Sequence, residues 1–151
     1  MFIAEVGAFV AGPGPDGQTL WSVQGPVVSA LYSGPVEVNI LLGERESVDA
    51  ELVAEVVRDI DGYLTAGLQF LHAALLEDPA VFGLDAVAAE RFREFDASTF
   101  PVDLPQLNFY ADGEWLLRFA EGALPICEPY GVGVTFEATE PVRLEDLRTY
   151  C

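Results

Sequence analysis

Apolar and polar positions change rhythm twice along this chain, giving a strand-like start, a helical middle and a strand-like end. From Phe2 to Val10 most side chains are apolar or small, the pattern of a strand buried on both faces. Gly12-Pro13-Gly14-Pro15-Asp16-Gly17 reads as a turn. Leu20 to Val23 form a second strand, with Trp21 and Val23 on one face, and Val27 to Tyr32 a third between the Gly25-Pro26 and Gly34-Pro35 breaks. Val36, Val38, Ile40 and Leu42 alternate with Glu37, Asn39 and Leu41, as in a strand with one face on a core. Four short strands with tight breaks predict an antiparallel meander.

The period then lengthens. Ser47 is the expected N-cap, with Asp49 and Glu51 in a first turn where the helix dipole favours anions. Over residues 48–77, Leu52, Val53, Val56, Val57, Ile60, Tyr63, Leu64, Leu68, Phe70, Leu71 and Leu75 fall within an arc of roughly 160°. Glu51, Glu55, Arg58, Asp59, Asp61, Gln69, His72 and Glu77 lie outside it. The phase does not slip, so the pattern predicts one long helix, about 45 Å at ~1.5 Å per residue. Gly62 and Gly67 are the places for a bend or a close contact, and Pro79 ends the helix. Asp85 caps a shorter helix over about 86–95, with Ala88, Phe92 and Phe95 as its inner stripe.

Strand alternation returns after Pro101 and Pro105. Leu107 and Phe109 alternate with Asn108 and Tyr110, and Asp112-Gly113 is a strong hairpin signal. Trp115, Leu117 and Phe119 then face inward, and Tyr110 outward. Val132, Val134, Phe136 and Ala138 line a last strand that Pro141 stops, before a helical turn over Leu144 to Arg148. Strands and helices are segregated, which predicts an α+β fold. It is a mainly antiparallel sheet of six or seven strands on one long helix (48–77) and one shorter helix (86–95). At 151 residues a single domain over 1–151 is expected. Its core should hold Val38, Ile40, Leu52, Val56, Ile60, Leu64, Leu71, Phe109, Trp115, Leu117, Val134 and Phe136.

Charge narrows the partners. Twenty-five carboxylates stand against seven arginines and no lysine, a formal charge of -18, yet the chain is 51% hydrophobic with mean hydropathy +0.29. A disordered acidic tail lacks that apolar content. The negative field reaches roughly 8–10 Å at physiological salt. It repels phosphate backbones and anionic membranes and attracts basic proteins. The same surface also fits plain solubility or the compositional style of the host. No apolar run approaches the ~18 residues of a membrane span. The start at Met1 has no positively charged signal-peptide region, the first basic residue being Arg45. Cys127 and Cys151 are expected as unpaired thiols in a reducing cytoplasm.

Motifs that carry chemistry are sparse. His72, the one histidine, lies at the border of the apolar arc, and a lone histidine makes a zinc site improbable. Cys127 is followed by Glu128, whose charge opposes thiolate formation. Asp59-Ile60-Asp61-Gly62 has a trace of a calcium loop, but position twelve is Phe70 where glutamate is required. The glycine-proline turn at 12–17 lacks the lysine and the following helix of a phosphate loop. No catalytic residue, metal site or cofactor is predicted, and the reading leans away from an enzyme.

Glu51, Glu55 and Asp59 at i, i+4 and i+8 form an acidic stripe, with Glu44 and Glu46 just before it. These five are the expected contacts of an acidic protein that blocks a basic partner, in the general style of bacterial toxin-immunity proteins. A small carboxylate-site enzyme, a cation- or small-ligand-binding domain and a structural or regulatory homodimer are the alternatives.

Overall fold

The computed structural model describes residues 1–150, with side chains through Arg148. Eight strands lie in one sheet in chain order: β1 (Phe2–Ile3), β2 (Gly7–Pro13), β3 (Thr19–Val23), β4 (Glu37–Leu42), β5 (Val102–Phe109), β6 (Glu114–Gly122), β7 (Val132–Glu137) and β8 (Glu140–Glu145). Neighbours are antiparallel except β4 and β5, which run parallel with Val38 opposite Leu107 and Ile40 opposite Phe109. The sheet is therefore mixed and eight-stranded, which corrects the expected mainly antiparallel sheet of six or seven strands. The reason lies between β4 and β5. That connection holds all three α-helices, α1 (Ala50–Arg58), α2 (Ile60–Glu77) and α3 (Ala86–Ala89). A crossover of this length returns the chain to the starting end of the sheet, so the next strand enters in the same direction.

The expected single helix over 48–77 is also corrected. Asp59 has φ -113° and ψ 45°, outside the helical range, and separates α1 from α2. Two features favour the break, one local and one long-range. The Asp59 carboxylate sits where a side chain at Gly62 would be, 2.6 Å from an ideal Cβ. Asp61 accepts from the Ser29 hydroxyl and, at 3.1 Å, from the Ala30 amide. The N-cap is Asp49, accepting from Leu52 N at 3.1 Å, in place of Ser47. The predicted 86–95 helix shortens to α3 and a 3-10 turn over Glu90–Phe92. Asp85 does cap it, at 2.8 Å from Ala88 N. Further on, Asp96 takes the Ser98 amide and hydroxyl, a local turn that competes with helix.

Two more expectations change. Val27 to Tyr32 is not a strand but carries one bridge, Val27 to Val36. Pro26 and Pro35 lack amide donors, and the Ser29-Ala30 donors go to Asp61. Beyond Glu137 the chain turns back as β8, with Pro141 on the outer strand, where a missing donor is tolerated. The helical turn there is a 3-10 turn over Leu147–Tyr150.

Alternation sorts the two faces of the sheet. Val38, Ile40, Leu107, Phe109, Trp115, Leu117, Phe119, Val132, Val134 and Phe136 are buried on the helix-covered face. All twelve predicted core residues lie there or on the helices, and Leu52 alone is only half-buried. Gly67 of α2 lets the helix approach closely: an ideal Cβ there would lie 2.4 Å from Leu117 Cδ2. Tyr63, one turn earlier, meets Trp115 and Phe136 edge-on, at ring-centre distances of 5.8 and 6.2 Å. Because every α-helix sits in one crossover, the opposite face has no helical cover. Asn39, Leu41, Gln106, Asn108, Leu116 and Arg118 remain half-exposed there.

Candidate functional site

The five predicted contact acids are all exposed. Glu44 and Glu46 sit in the loop after β4, where Glu46 Oε1 accepts from Gly43 N at 2.6 Å. Glu51 and Glu55 stand on the outer side of α1, which is anchored by fully buried Val53 and Val56. Asp59 ends that helix, so the i, i+8 member leaves the helical stripe and lies over Gly62. Glu55 and Asp59 both border the Tyr63 hydroxyl, whose pKa is raised, by burial first and then by these two charges. Residues 44–61 hold seven carboxylates and two arginines. One of those arginines, Arg58, is drawn off to Glu5 at the turn between β1 and β2.

The other candidates settle into structural roles. His72 Nε2–H donates to the Phe92 carbonyl, and its ring packs beside Phe95 and Phe100. Cys127 is buried, and that burial pushes its thiol pKa up; the Leu124 backbone pulls it down, and Glu128 adds a smaller upward push. Cys151 lies outside the described residues. Asp61 of the Asp59-Gly62 segment is spent on the 29–30 loop. Among the described residues no three histidine, cysteine or carboxylate groups converge as metal ligands. None of their helices is long and apolar enough to cross a membrane.

Tyr32 carries a buried polar atom that the fold does not satisfy. Among the described residues, its hydroxyl is the one such side-chain group without a hydrogen-bond partner. Burial, with help from the Asp103 charge, raises its pKa to about 12 from the usual 10. The folded state thus holds the phenol proton more tightly than the unfolded chain. Stability tied to this group is complete below pH 10 and is lost as pH climbs towards 12. Replacing Tyr32 with phenylalanine should raise stability by about 1 kcal/mol at neutral pH, because it removes an unpaid desolvation. It should also flatten the decline between pH 10 and 12. Urea melts of both proteins across that range test this; equal stability at neutral pH would show that the hydroxyl is satisfied in solution.

The helix-free face carries a concavity of about 530 Å³. Strands β6, β7 and β8 supply Glu114, Leu116, Arg118, Thr135, Arg143 and Glu145; Tyr110, Tyr130 and Leu147 close it from the flanking turns. Register builds it: Arg118 lies opposite Gly133, Leu116 opposite Thr135, and Thr135 opposite Arg143. Arg143 bridges Glu145 at 2.7 Å and Glu114 at 3.3 Å, and Thr135 Oγ1 donates to Glu145 at 2.8 Å. Arg118 differs. Its Nε donates to the Tyr130 carbonyl at 2.9 Å and its Nη1 to Gln106 Oε1 at 3.1 Å, both neutral acceptors. The strand alternation turns Tyr110 outward but does not reveal this constellation. The available signal was a single arginine at an outward position inside an otherwise apolar strand, Trp115 to Phe119. A second concavity of about 660 Å³ lies beside Cys127 and is edged by Asp103, Glu121 and Glu128.

The chain matches no protein-family model, no curated protein and no solved structure, so its function has to be read from this geometry.

Proposed function

We propose that this chain is a non-catalytic cytoplasmic protein that sequesters a basic protein partner, in the manner of a bacterial toxin-immunity protein. The observation that supports it most is the placement of Glu44, Glu46, Glu51, Glu55 and Asp59. All five are exposed on one continuous stretch, and the helix carrying two of them is fixed by Val53 and Val56. A held acidic surface loses little freedom on binding. It also steers a cationic partner into contact, raising association rates by ~10–10³ at low salt. The diversion of Arg58 to Glu5 leaves the stretch more negative than its sequence suggests.

The test compares the wild type with a variant in which the four glutamates become glutamine and Asp59 becomes asparagine. Each is immobilised and offered lysate of its own host, washed at low and then high salt. A basic protein should bind the wild type at low salt, leave at high salt, and associate with the variant at least about tenfold more slowly. Expressed alone, that protein should arrest growth, and co-expression of this chain should restore it. No basic protein retained at low salt, or equal retention by the variant with an unchanged melt, overturns the reading.

A further inference from the structure

We propose that the concavity on the helix-free face binds a small organic monocarboxylate with an apolar body, held by Arg118. The site shares no residue with the acidic stretch on α1.

Six of the seven arginines are exposed, and Arg118 alone is half-buried. In a chain with twenty-five carboxylates, no described carboxylate pairs with it. A guanidinium withdrawn from water keeps its charge and calls for an anion. The two acids of the same concavity, Glu114 and Glu145, direct their ion pairs to Arg143 and make none with Arg118. A guanidinium has five N–H donors. The Tyr130 carbonyl and the Gln106 amide hold two nitrogens of Arg118 in place without discharging it. That is a pre-positioned fork of the kind that grips a carboxylate through paired bonds.

Shape and lining define the rest of the ligand. A volume of about 530 Å³ lies in the range of small-molecule sites. Leu116, Leu147 and the rings of Tyr110 and Tyr130 supply apolar surface around the Arg118 guanidinium. Opposite Arg118, on β7, stands Gly133, whose missing side chain leaves room for Leu116 to lie in the lining. A Cβ there would lie 2.7 Å from Leu116 Cδ1 and push that side chain aside. One guanidinium without a direct ion pair, in a concavity that also holds two glutamates and in a chain of charge -18, suits a monoanion and not a dianion such as a phosphate monoester.

The test uses three ligands with one ring system: 2-naphthoate, neutral 2-naphthalenemethanol and dianionic 2-naphthyl phosphate. Affinities come from calorimetric titration, and location from amide chemical shifts. For the wild type, naphthoate should bind at least about tenfold more tightly than either of the others, with shifts at Leu116, Arg118 and Thr135. Arg118→Gln should erase the preference over the alcohol, while Arg93→Gln, an exposed arginine paired with Glu90, should keep it. Naphthoate binding no tighter than the alcohol or the phosphate, shifts confined to other surfaces, or a preference that survives in folded Arg118→Gln overturns the proposal. If Arg118→Gln does not fold, Tyr130→Ala decides, because it removes the ring but keeps the carbonyl that fixes Arg118. It should weaken naphthoate and the alcohol at least about fivefold each, and unchanged affinity for both overturns the site.

Discussion

Alanine at Gly131 should cost the protein at least about 4 kcal/mol, enough to unfold it or leave it marginal. Gly131 has φ +82°, a conformation disfavoured for any residue with a Cβ. Space is the larger obstacle. An ideal Cβ would lie 1.9 Å from the Phe119 carbonyl oxygen and 2.9 Å from Ala120 Cα. Both are backbone atoms of a central strand, and neither can swing away as a side-chain tip does. The amide of Gly131 also donates to the Cys127 carbonyl at 2.6 Å, fixing the segment from the other side. The chain would have to lift away from β6 just where Val132 starts its pairing with Phe119. The same displacement would carry off the Tyr130 carbonyl that holds Arg118. Urea denaturation measures the loss. Gly25→Ala is the matched control, having open space at its Cβ and no positive φ, and it should shift stability by less than about 1 kcal/mol. A Gly131→Ala midpoint within error of the wild type would mean that β6 and the 128–131 loop are not packed as described.

Truncating Trp115 to alanine should cost about 3–5 kcal/mol. Trp115 is fully buried and stacks on Phe136, with ring centres 4.1 Å apart and planes at 16°. It lies near Phe109 at 5.4 Å and receives the edge of Tyr63. These rings come from β5, β6, β7 and α2, so the cavity left by truncation opens at the junction of sheet and helix. Its indole N–H donates to the Ala138 carbonyl at 2.7 Å, which also ties the β7–β8 turn to the core. Trp115→Phe separates the two contributions. It keeps a ring in the stack and loses the hydrogen bond, so it should cost about 1–2 kcal/mol, clearly less than the alanine effect. Thermal and urea melts of both variants test this. Equal losses would assign the effect to the hydrogen bond and not to packing.

The readable parts of the fold are those governed by neighbours in sequence. Strand alternation is such a signal, and it placed Trp115, Leu117 and Phe119 inward and Tyr110 outward. Asp112-Gly113 marked the β5–β6 turn, where Gly113 takes φ +83° and Glu114 N binds Asp112 Oδ1 at 3.1 Å. The apolar arc found the helical crossover but not its break, because Asp59 interrupts the backbone without shifting the apolar phase. Pro141 pointed to a stop, yet an outer strand accommodates it. The bonds that decided these cases join distant residues, as Asp61 does with Ser29.

Sequence alone was enough for an acidic shell around an apolar interior, the inward faces of β4 to β7 and the exposure of Glu44, Glu46, Glu51, Glu55 and Asp59. Each of these follows from composition or from a local period of two or 3.6 residues. It was not enough for Phe2 to Val10, which is two mostly exposed strands and not one strand buried on both faces. Only the tertiary structure decided the parallel entry of β5, the side of the sheet left without helices and the chamber around Arg118. Strand direction and register are set by how a long crossover returns, and they brought together Leu116, Arg118, Thr135 and Arg143 from three strands whose residues carry no mark of one another along the chain.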